Sequence, residues 1–473
     1  MKKFYFLTLF SVLVGLSTIV NAQAPNWVWA KKIGGTSFSN EIGNCIATDV
    51  SGNVYTAGNF GGTVDFDPGA GVYNLTATGS EGIFISKLNS SGNFIWAKLL
   101  NVLNVLYNCN SIVVDASGSV FLTGAFSGTV DFDSGPGVFN LTAVAVDDIF
   151  IWKLDTAGNF VWAKSMGGTS VDYGYSLALD TFGNVYTTGS FRGTVDFDPG
   201  VGTYNLTSPG TDNIFISKLD SAGNFIWAKA MGNPDNALAS AIAINPSASA
   251  DVYITGYFNG TGDFDPGTGV FNLSTAGFED DFFICKLDSA GNFIWAKSMG
   301  TGTGNDFAYS IVFDPTGSGY VYVKGSIDGT VDFDPGPGVF NLTGNNTNGN
   351  GGYILKLNSA GNFVWAIALG GGAGVSSSSL ALDSSGNIYT SGAFHGTVDF
   401  DPGPAIFNLT AVVNDMYVSK YNKAGNFSWV KKAGGSNVDV GRALALDASG
   451  NVYITGPYYS TSITFGTDRK SVV

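Results

Sequence analysis

A unit of about 66 residues recurs along the chain, and this repeat limits the folds that the chain can adopt. The tripeptide Trp-Ala-Lys, or a close variant, places its Trp at Trp29, Trp96, Trp162, Trp227, Trp295, Trp365 and Trp429. The successive spacings are 67, 66, 65, 68, 70 and 64 residues. Because repeats of constant length stack on their neighbours, we expect a single repetitive domain.

One unit is typical of two tight hairpins. Cys45 to Asp49 and Asn53 to Phe60 are β-rich runs joined by a Val-Ser-Gly turn, and Ile83 to Leu88 and Phe94 to Leu99 are joined by Ser-Ser-Gly-Asn. No stretch of ten or more residues has helical periodicity. Four antiparallel strands repeated around a ring make a β-propeller. A solenoid is the alternative, but its coils are shorter and seldom contain two hairpins.

The number of units predicts how the ring closes. Six units are complete, a seventh is partial, and Trp27–Lys31 precedes the first unit as a fourth strand without a blade. We therefore predict an all-β, seven-bladed β-propeller whose incomplete last blade is closed by the N-terminal strand. The third strand of that blade is missing before Val473, and residues 468–473 match no other repeat. This predicts a truncated last repeat with a non-native tail. The repeated Trp is expected to pack between blades.

The N-terminus predicts export. Lys2 and Lys3 precede an apolar run from Phe4 to Val20, and the small residues expected at a cleavage site follow up to Ala22. Residues 1–22 are therefore predicted to be a signal peptide, and residues 23–473 the propeller. We expect a secreted or surface-exposed monomer with no transmembrane segment after cleavage. The formal net charge of −15 argues against nucleic-acid partners. Of the three cysteines, Cys45 and Cys109 are predicted either to form one bridge or to stay as buried thiols.

Two strings in each unit resemble the bacterial beta-propeller repeat family called SBBP. They are Asp-x-x-Gly-Asn-Val-Tyr-x-x-Gly and the Phe-Ile-x-Lys-Leu strand before Gly-Asn-Phe-Ile-Trp. The resemblance covers nearly all of the chain after the signal peptide. It implies an exported propeller but no particular reaction, because members of the family are mostly surface proteins without an assigned activity.

The long connections predict where a ligand binds. The turns within the hairpins lie on one face, and the variable connections between units lie on the other, where binding residues are usually placed. Aromatic and acidic residues on these connections are the candidates, since they can grip a protein or a sugar ring. The alternative is that the aromatics fill gaps between blades. The candidate binding residues are Phe38, Asp172, Tyr173, Tyr175, Asp306, Phe307 and Tyr309.

Each complete unit also carries an insert with the pattern Asp-x-Asp. Alternate residues of a strand share a face, so each pair has the oxygen ligands that Ca²⁺ prefers. The alternative is that these carboxylates shape the turn of the insert. The candidate calcium ligands are Asp65, Asp67, Asp131, Asp133, Asp196, Asp198, Asp263, Asp265, Asp332, Asp334, Asp399 and Asp401. No other cofactor is expected.

No catalytic group of residues stands out. The chain has one histidine, His395, and a triad or zinc site would need partners that the sequence does not place near it. We therefore predict a non-enzymatic scaffold for protein or glycan interaction. The alternative is a propeller that binds or degrades carbohydrate.

Overall fold

A computed structural model describes the greater part of the chain, namely residues 25–35, 41–102, 109–232, 235–247, 249–344, 351–370, 374–460 and 462–465. All regular elements in these ranges are β-strands, so none of them contains a helix that could cross a membrane. The predicted signal peptide and the residues 468–473 lie outside the described ranges.

The strands of the first half follow the predicted repeat. The first described strand is β1 (Gly34–Gly35). Blade one comprises β2 (Ile42–Thr48), β3 (Val54–Phe60), β4 (Thr63–Asp65), β5 (Asn74–Thr76), β6 (Glu81–Leu88) and β7 (Phe94–Val102). Blade two comprises β8 (Ser111–Val114), β9 (Val120–Phe126), β10 (Thr129–Asp131), β11 (Asn140–Thr142), β12 (Asp148–Leu154) and β13 (Phe160–Gly168). Blade three comprises β14 (Tyr173–Leu179), β15 (Val185–Phe191), β16 (Thr194–Asp196), β17 (Asn205–Thr207), β18 (Asn213–Leu219) and β19 (Phe225–Met231).

The second half continues in the same order. Blade four comprises β20 (Asn236–Ile244), β21 (Val252–Asn259), β22 (Thr261–Asp263), β23 (Asn272–Ser274), β24 (Asp281–Leu287) and β25 (Phe293–Met299). Blade five comprises β26 (Phe307–Phe313), β27 (Val321–Ile327), β28 (Gly329–Asp332), β29 (Asn341–Gly344), β30 (Gly351–Leu357) and β31 (Phe363–Leu369). Blade six comprises β32 (Val375–Leu382), β33 (Ile388–Asp399), β34 (Asn408–Tyr421) and β35 (Phe427–Ala433). The last pair is β36 (Ala443–Leu446) and β37 (Val452–Thr455).

Each blade is a four-stranded antiparallel sheet in sequence order, and its first strand faces the centre of the ring. The predicted insert between the second and third strands is a small hairpin, as in β4–β5 of blade one, and in blade six it continues the long strands β33 and β34. The tight turns carry glycines with positive φ, such as Gly52 (76°) and Gly92 (77°), a conformation that favours glycine. The predicted hairpins and inserts are therefore confirmed.

The core lies within and between the blades. The second strands of blades two, three and five are buried along their whole length, as in Val185–Phe191. The repeated Trp packs as expected: the ring of Trp96 contacts Tyr55 of its own blade at 6.0 Å between centroids. Its indole Nε1 donates to the carbonyl oxygen of Thr156 in the next blade at 3.2 Å. The same bond from Trp162 reaches Ser221, so this Trp joins neighbouring blades.

The prediction of seven blades is wrong, because the described residues form six. After blade six only the two-stranded sheet β36–β37 follows, and it lies between blade six and blade one, where Thr48 Oγ1 donates to Leu446 O at 2.8 Å. Trp27–Lys31 forms no strand. A fourth strand obtains its backbone hydrogen bonds from a third strand, and the described residues supply none beside it. Its Trp29 nevertheless contacts Tyr453 at 5.8 Å between ring centroids.

Candidate binding site at the channel mouth

The inner strands share an irregularity that directs one side chain toward the centre of the ring. In five blades the register shifts by one residue near the start of the inner strand. Such a β-bulge leaves one residue unpaired and re-aims its side chain. The bulged residues are Asn44, Tyr175, Ser240, Tyr309 and Ser378.

The glycine that ends the repeated Asp-x-x-Gly-Asn-Val-Tyr-x-x-Gly string makes this bulge sterically possible. In blade three this is Gly189, and a Cβ built there would overlap the carbonyl oxygen of Tyr173. Gly58, Gly256, Gly325 and Gly392 stand in the same relation to the inner strands of their blades. This glycine therefore lets the two strands approach closely enough for the bulge.

The bulged side chains meet around a central channel. Its cavity of ≈ 230 Å³ is lined by all five of them together with Asn110 and Arg442, which hold the same place in blade two and in the two-stranded sheet. Among the described residues of this lining Arg442 alone is charged, and its Nη1 donates to Asn44 Oδ1 at 2.7 Å. The flanking residues repeat, but these seven positions carry Asn, Tyr, Ser and Arg. The channel mouth therefore breaks the symmetry of the ring, as a specific binding site requires.

Aromatic side chains form an arc beside this mouth, across blades three to five. Tyr173 and Tyr175 lie 5.9 Å apart between ring centroids, and Phe307 and Tyr309 lie 5.9 Å apart and are stacked. Tyr257 of blade four contacts Phe307 at 4.8 Å. All five rings are half-buried, so they offer faces and edges to a ligand. We call these five residues the aromatic arc.

Polar groups accompany the arc. Arg192 forms a bidentate pair with Asp212, with Nε to Oδ1 at 2.6 Å and Nη2 to Oδ2 at 2.7 Å. The hydrogen bonds to Asp212 raise the pKa of Arg192, and its charge is close enough to interact with Tyr173 and Tyr175. Burial raises the pKa of Tyr175 and of Tyr309. Both hydroxyls are therefore protonated at neutral pH, and the hydroxyl of Tyr309 shares a hydrogen bond with Ser326 Oγ at 3.2 Å.

The structure brings together four of the seven predicted binding residues, namely Tyr173, Tyr175, Phe307 and Tyr309. They lie within the first three residues of the inner strands β14 and β26. The sequence analysis placed them in the connections that lead into these strands. Phe38 lies outside the described residues. The other two candidates, Asp172 and Asp306, are fully buried and are separated from the surface.

The two buried aspartates hold the connections in place. Asp172 accepts hydrogen bonds from the backbone N–H of Gly168 at 2.9 Å and of Arg192 at 3.0 Å. Asp306 accepts from the N–H of Thr301 at 2.6 Å and of Asp328 at 2.8 Å. Burial raises the pKa of each of these carboxyls to about 7. They therefore hold the loops beside the channel mouth in position.

The Asp-x-Asp pairs support the turns of the inserts. Asp65 Oδ1 accepts from the N–H of Asp67 at 3.0 Å and of Tyr73 at 2.8 Å, and Asp67 Oδ1 accepts from the N–H of Gly69 at 2.8 Å. The same bonds recur in the inserts of the other five blades. The described residues contain no group of three or more acidic, His or Cys side chains placed to hold a metal ion. Calcium at these pairs stays a prediction.

Sequence reasoning missed Tyr257, Arg192 and Arg442. Tyr257 stands where the other blades have Asn59, Ala125, Ser190, Ser326 and Ala393, and Arg192 stands where His395 and smaller residues occur. For Tyr257 and Arg192 the sequence did contain a signal, namely a large side chain at a position where most other repeats have a smaller one. For Arg442 the signal was its place at the start of an inner strand, in register with Tyr175 and Tyr309.

Comparisons with known proteins agree with this architecture. Residues 161–190 match the family model SBBP, a beta-propeller repeat. The chain is 26% identical over 524 aligned positions to the uncharacterized WD repeat-containing protein L264 of Acanthamoeba polyphaga mimivirus. That alignment covers 94% of this chain and 37% of the relative. It is also 29% identical over 132 residues to the regulatory protein FlaEY of Caulobacter vibrioides, covering 28% of this chain and 14% of that protein. The chain thus spans well under half the length of both relatives.

Proposed function

We propose that this propeller is an exported, non-enzymatic scaffold that binds a protein ligand over the mouth of its central channel. One observation carries the proposal: the residues at the bulge positions differ from blade to blade on an otherwise repeated frame. A uniform packing role would favour the same residue in every unit. The beta-propeller repeat match and the WD-repeat relative support an interaction scaffold and are consistent with a protein that is not an enzyme.

The aromatic arc supplies the binding energy in this proposal. Half-buried Tyr and Phe rings lose little conformational entropy on binding and are enriched at the energetic centres of protein interfaces. The Arg192–Asp212 pair at their side offers further polar contacts. The channel itself is too small for a folded partner, so the ligand lies across the mouth and inserts at most a side chain.

A peptide library selected on the immobilised mature protein tests this assignment. We expect selected peptides to lose binding to Tyr175→Ser and Tyr309→Ser, which introduce the residue that blades four and six carry at the bulge. Phe182→Ser is the matched control, because Phe182 is 72% exposed on a hairpin turn of the opposite face. Peptides that respond to Phe182→Ser and ignore both tyrosine variants would overturn the site.

Carbohydrate binding is the second candidate function, and the stacked rings of Phe307 and Tyr309 support it. Stacked rings with adjacent hydroxyl and carboxylate groups suit a sugar, whose apolar face packs on an aromatic ring. A glycan array probed with the wild type and with Tyr309→Ser separates the two: tyrosine-dependent glycan binding without peptide binding would replace the protein ligand by a sugar.

Location outside the cell is part of the proposal and rests on the predicted signal peptide. Fractionation of cells that express the full chain tests it. Recovery of the protein outside the inner membrane, with its N-terminus cleaved near Ala22, is the expected result. An uncleaved cytoplasmic form would overturn the location but leave the binding face intact.

A further inference from the structure

Two buried carboxylates lie side by side at the junction between blades two and three. Asp148, at the start of β12, is 1% exposed, and a Cβ built at Gly167 would overlap its carboxyl group. Asp172 is also buried and accepts a hydrogen bond from the N–H of Gly168 at 2.9 Å. Both carboxylates therefore lie against one Gly-Gly dipeptide. Burial chiefly raises the pKa of Asp172, and the nearby charge of Asp148 raises it further.

The same pair of acids recurs at two further junctions, between blades four and five and between blade six and the sheet β36–β37. The first carboxylate again lies against a glycine, and the second accepts the N–H of the residue after that glycine, at 2.6 Å and 2.9 Å. At all three junctions the first carboxylate is at most 3% exposed and its Oδ1 has no hydrogen-bond partner. The two further pairs are Asp281 with Asp306 and Asp415 with Asp439.

Lys432 supplies a cation to the pair beside blade six. Its Nζ lies 2.6 Å from Asp415 Oδ2 and donates to the carbonyl oxygen of Thr410 at 2.6 Å. Lys432 pairs in register with Tyr417, two residues after Asp415. A buried charge is costly unless it is paired or coordinates a metal ion. The position of Lys432 Nζ is therefore where a cation compensates the first carboxylate of a pair.

The other two pairs lack this lysine. Serine stands in the register of Lys432 at both junctions, as Ser165 and Ser298. Among the described residues no lysine or arginine forms an ion pair with Asp148 or Asp281. These two junctions therefore hold two acids each without a compensating side chain.

The junction between blades three and four removes the charge instead. Asn213 stands at the position of Asp148, and a Cβ built at Gly232 would overlap its amide. The chain thus provides a lysine at one junction and an amide at another. The two junctions that keep both acids have neither of these solutions.

We propose that each of these two junctions binds one Ca²⁺ ion at the position equivalent to Lys432 Nζ. The carbonyl oxygens of Thr142 and Ser274 correspond in sequence to that of Thr410. With the first carboxylate of each pair they are the hard oxygen ligands that calcium prefers, and water completes the coordination. The second carboxylate adds the further negative charge that a divalent ion balances. The ligands are Asp148 with Thr142 at one junction and Asp281 with Ser274 at the other.

This site is distinct from the Asp-x-Asp pairs of the inserts, and it goes beyond the proposed binding function. Asp172 and Asp306 directly precede Tyr173 and Phe307 of the aromatic arc. A bound ion therefore fixes the loops from which two parts of the arc begin.

Isothermal titration calorimetry with calcium chloride on the EDTA-treated mature protein counts the ions. We expect the double variant Ser165→Lys with Ser298→Lys to bind two ions fewer than the wild type, because each lysine takes the place of one ion. The ions that are lost should have dissociation constants of about 10⁻⁴–10⁻³ M. Ala230→Lys is the matched control, since it introduces the same lysine in blade three, opposite Phe215 and beside Asn213. It should leave the number of ions unchanged.

Thermal unfolding gives a second readout that needs no added lysine. In EDTA the variant Asp148→Asn with Asp281→Asn should melt at a higher temperature than the wild type, because two buried charges are removed. Millimolar calcium should stabilise the wild type more than this variant and so narrow or reverse the difference, since an ion that binds only the folded state stabilises it. Circular dichroism confirms that each variant is folded.

Either of two results would overturn the proposal. Equal numbers of ions in the wild type and the double lysine variant would place any bound calcium elsewhere, such as at the inserts. A difference in melting temperature between the wild type and the asparagine variant that calcium leaves unchanged would show that the junctions hold no ion. Neither result bears on ligand binding at the aromatic arc, because all of these variants keep its five residues.

Discussion

The sulfur atoms of Cys45 and Cys109 lie 3.5 Å apart, although 64 residues separate them in the sequence. Cys45 lies on the inner strand of blade one, and Cys109 lies two residues before the inner strand of blade two. Both thiols are buried and free. The sequence is compatible with a disulfide bridge or with two buried thiols, and in the structure both cysteines are thiols. Their sulfur atoms are close enough that a small movement would allow a disulfide bond to form.

We predict that oxidised glutathione joins these two cysteines. Each thiol loses a proton, the pair is oxidised to one disulfide, and glutathione disulfide is reduced to two thiols. The reaction on the native protein is expected to be slow, because burial raises the pKa of Cys45 well above its ordinary value and little thiolate forms.

Mass spectrometry of the alkylated, unfolded protein checks this prediction. One bridge with Cys285 still alkylated is expected, together with a higher melting temperature, since the bond constrains the unfolded chain. The Cys109→Ser variant should show neither change. A bridge that includes Cys285, which is also buried, would mean that oxidation precedes folding.

A second prediction concerns the pH dependence of stability. Burial raises the pKa of Asp148 and of Asp281 from 3.8 to about 6, and each has an Oδ1 atom without a hydrogen-bond partner. Since the folded state binds these protons more tightly than the unfolded state, the free energy of unfolding falls as the pH rises from about 4 to about 6. The buried carboxyls of Asp172 and Asp306, whose pKa values are raised to about 7, continue the fall to about pH 7.

Asparagine at both positions should remove this loss. Blade three already carries Asn213 at the corresponding position, so the fold accommodates the amide. We expect Asp148→Asn with Asp281→Asn to raise the free energy of unfolding at pH 8 by about 1–3 kcal/mol per site, and to flatten the pH profile of urea unfolding. Asp220→Asn should act in the opposite direction, because hydrogen bonds in its turn lower the pKa of that carboxyl. Parallel profiles for the wild type and the double variant would contradict this account.

A third prediction concerns the glycine opposite the bulge. Gly189→Ala should lower the free energy of unfolding by about 1–3 kcal/mol, because its Cβ would overlap the backbone of Tyr173. The variant should also lower the affinity for any ligand that contacts Tyr175, because the substitution displaces the bulge that carries this side chain. Gly302→Ala is the control, as its nearest neighbour is 3.4 Å away. Equal melting temperatures for the two variants would argue against steric control of the bulge.

A fourth prediction separates turn support from calcium binding in the inserts. Asp196 Oδ1 accepts from the N–H of Asp198 at 3.0 Å and of Tyr204 at 2.8 Å. We therefore expect Asp196→Ala to speed hydrogen exchange of these two amides in EDTA. A melting temperature of the wild type that rises in millimolar calcium would show metal binding in addition. Unchanged exchange in EDTA would contradict the turn-supporting role.

The repeat predicted the local structure well and the closure poorly. The hairpins, the inserts and the packing of Trp96 could be predicted because the residues that determine them are contained in each repeat. The number of blades depends on whether Trp27–Lys31 finds a strand to pair with, and no local pattern contains that information. The aromatic arc was only partly predictable, because Tyr173 and Phe307 stand in the variable segments whereas Tyr257 stands inside a regular strand. The burial of Asp172 and Asp306 depends on loop backbones that the sequence does not specify.

The hydrogen bond from Trp96 to the next blade recurs from Trp162, Trp227 and Trp295, whereas the buried Nε1 of Trp365 has no partner. Blades five and six are instead joined by a shared apolar cluster that includes Tyr322 and Val375. Under mechanical load the junctions between blades act in series, so the weakest one decides where the ring opens. Trp29 makes its hydrogen bond to Ser90 O from a segment without strand pairing, beside the two-stranded sheet β36–β37. Stretched between its ends, the molecule should therefore part at this seam first and leave the six blades as a curved, still folded array.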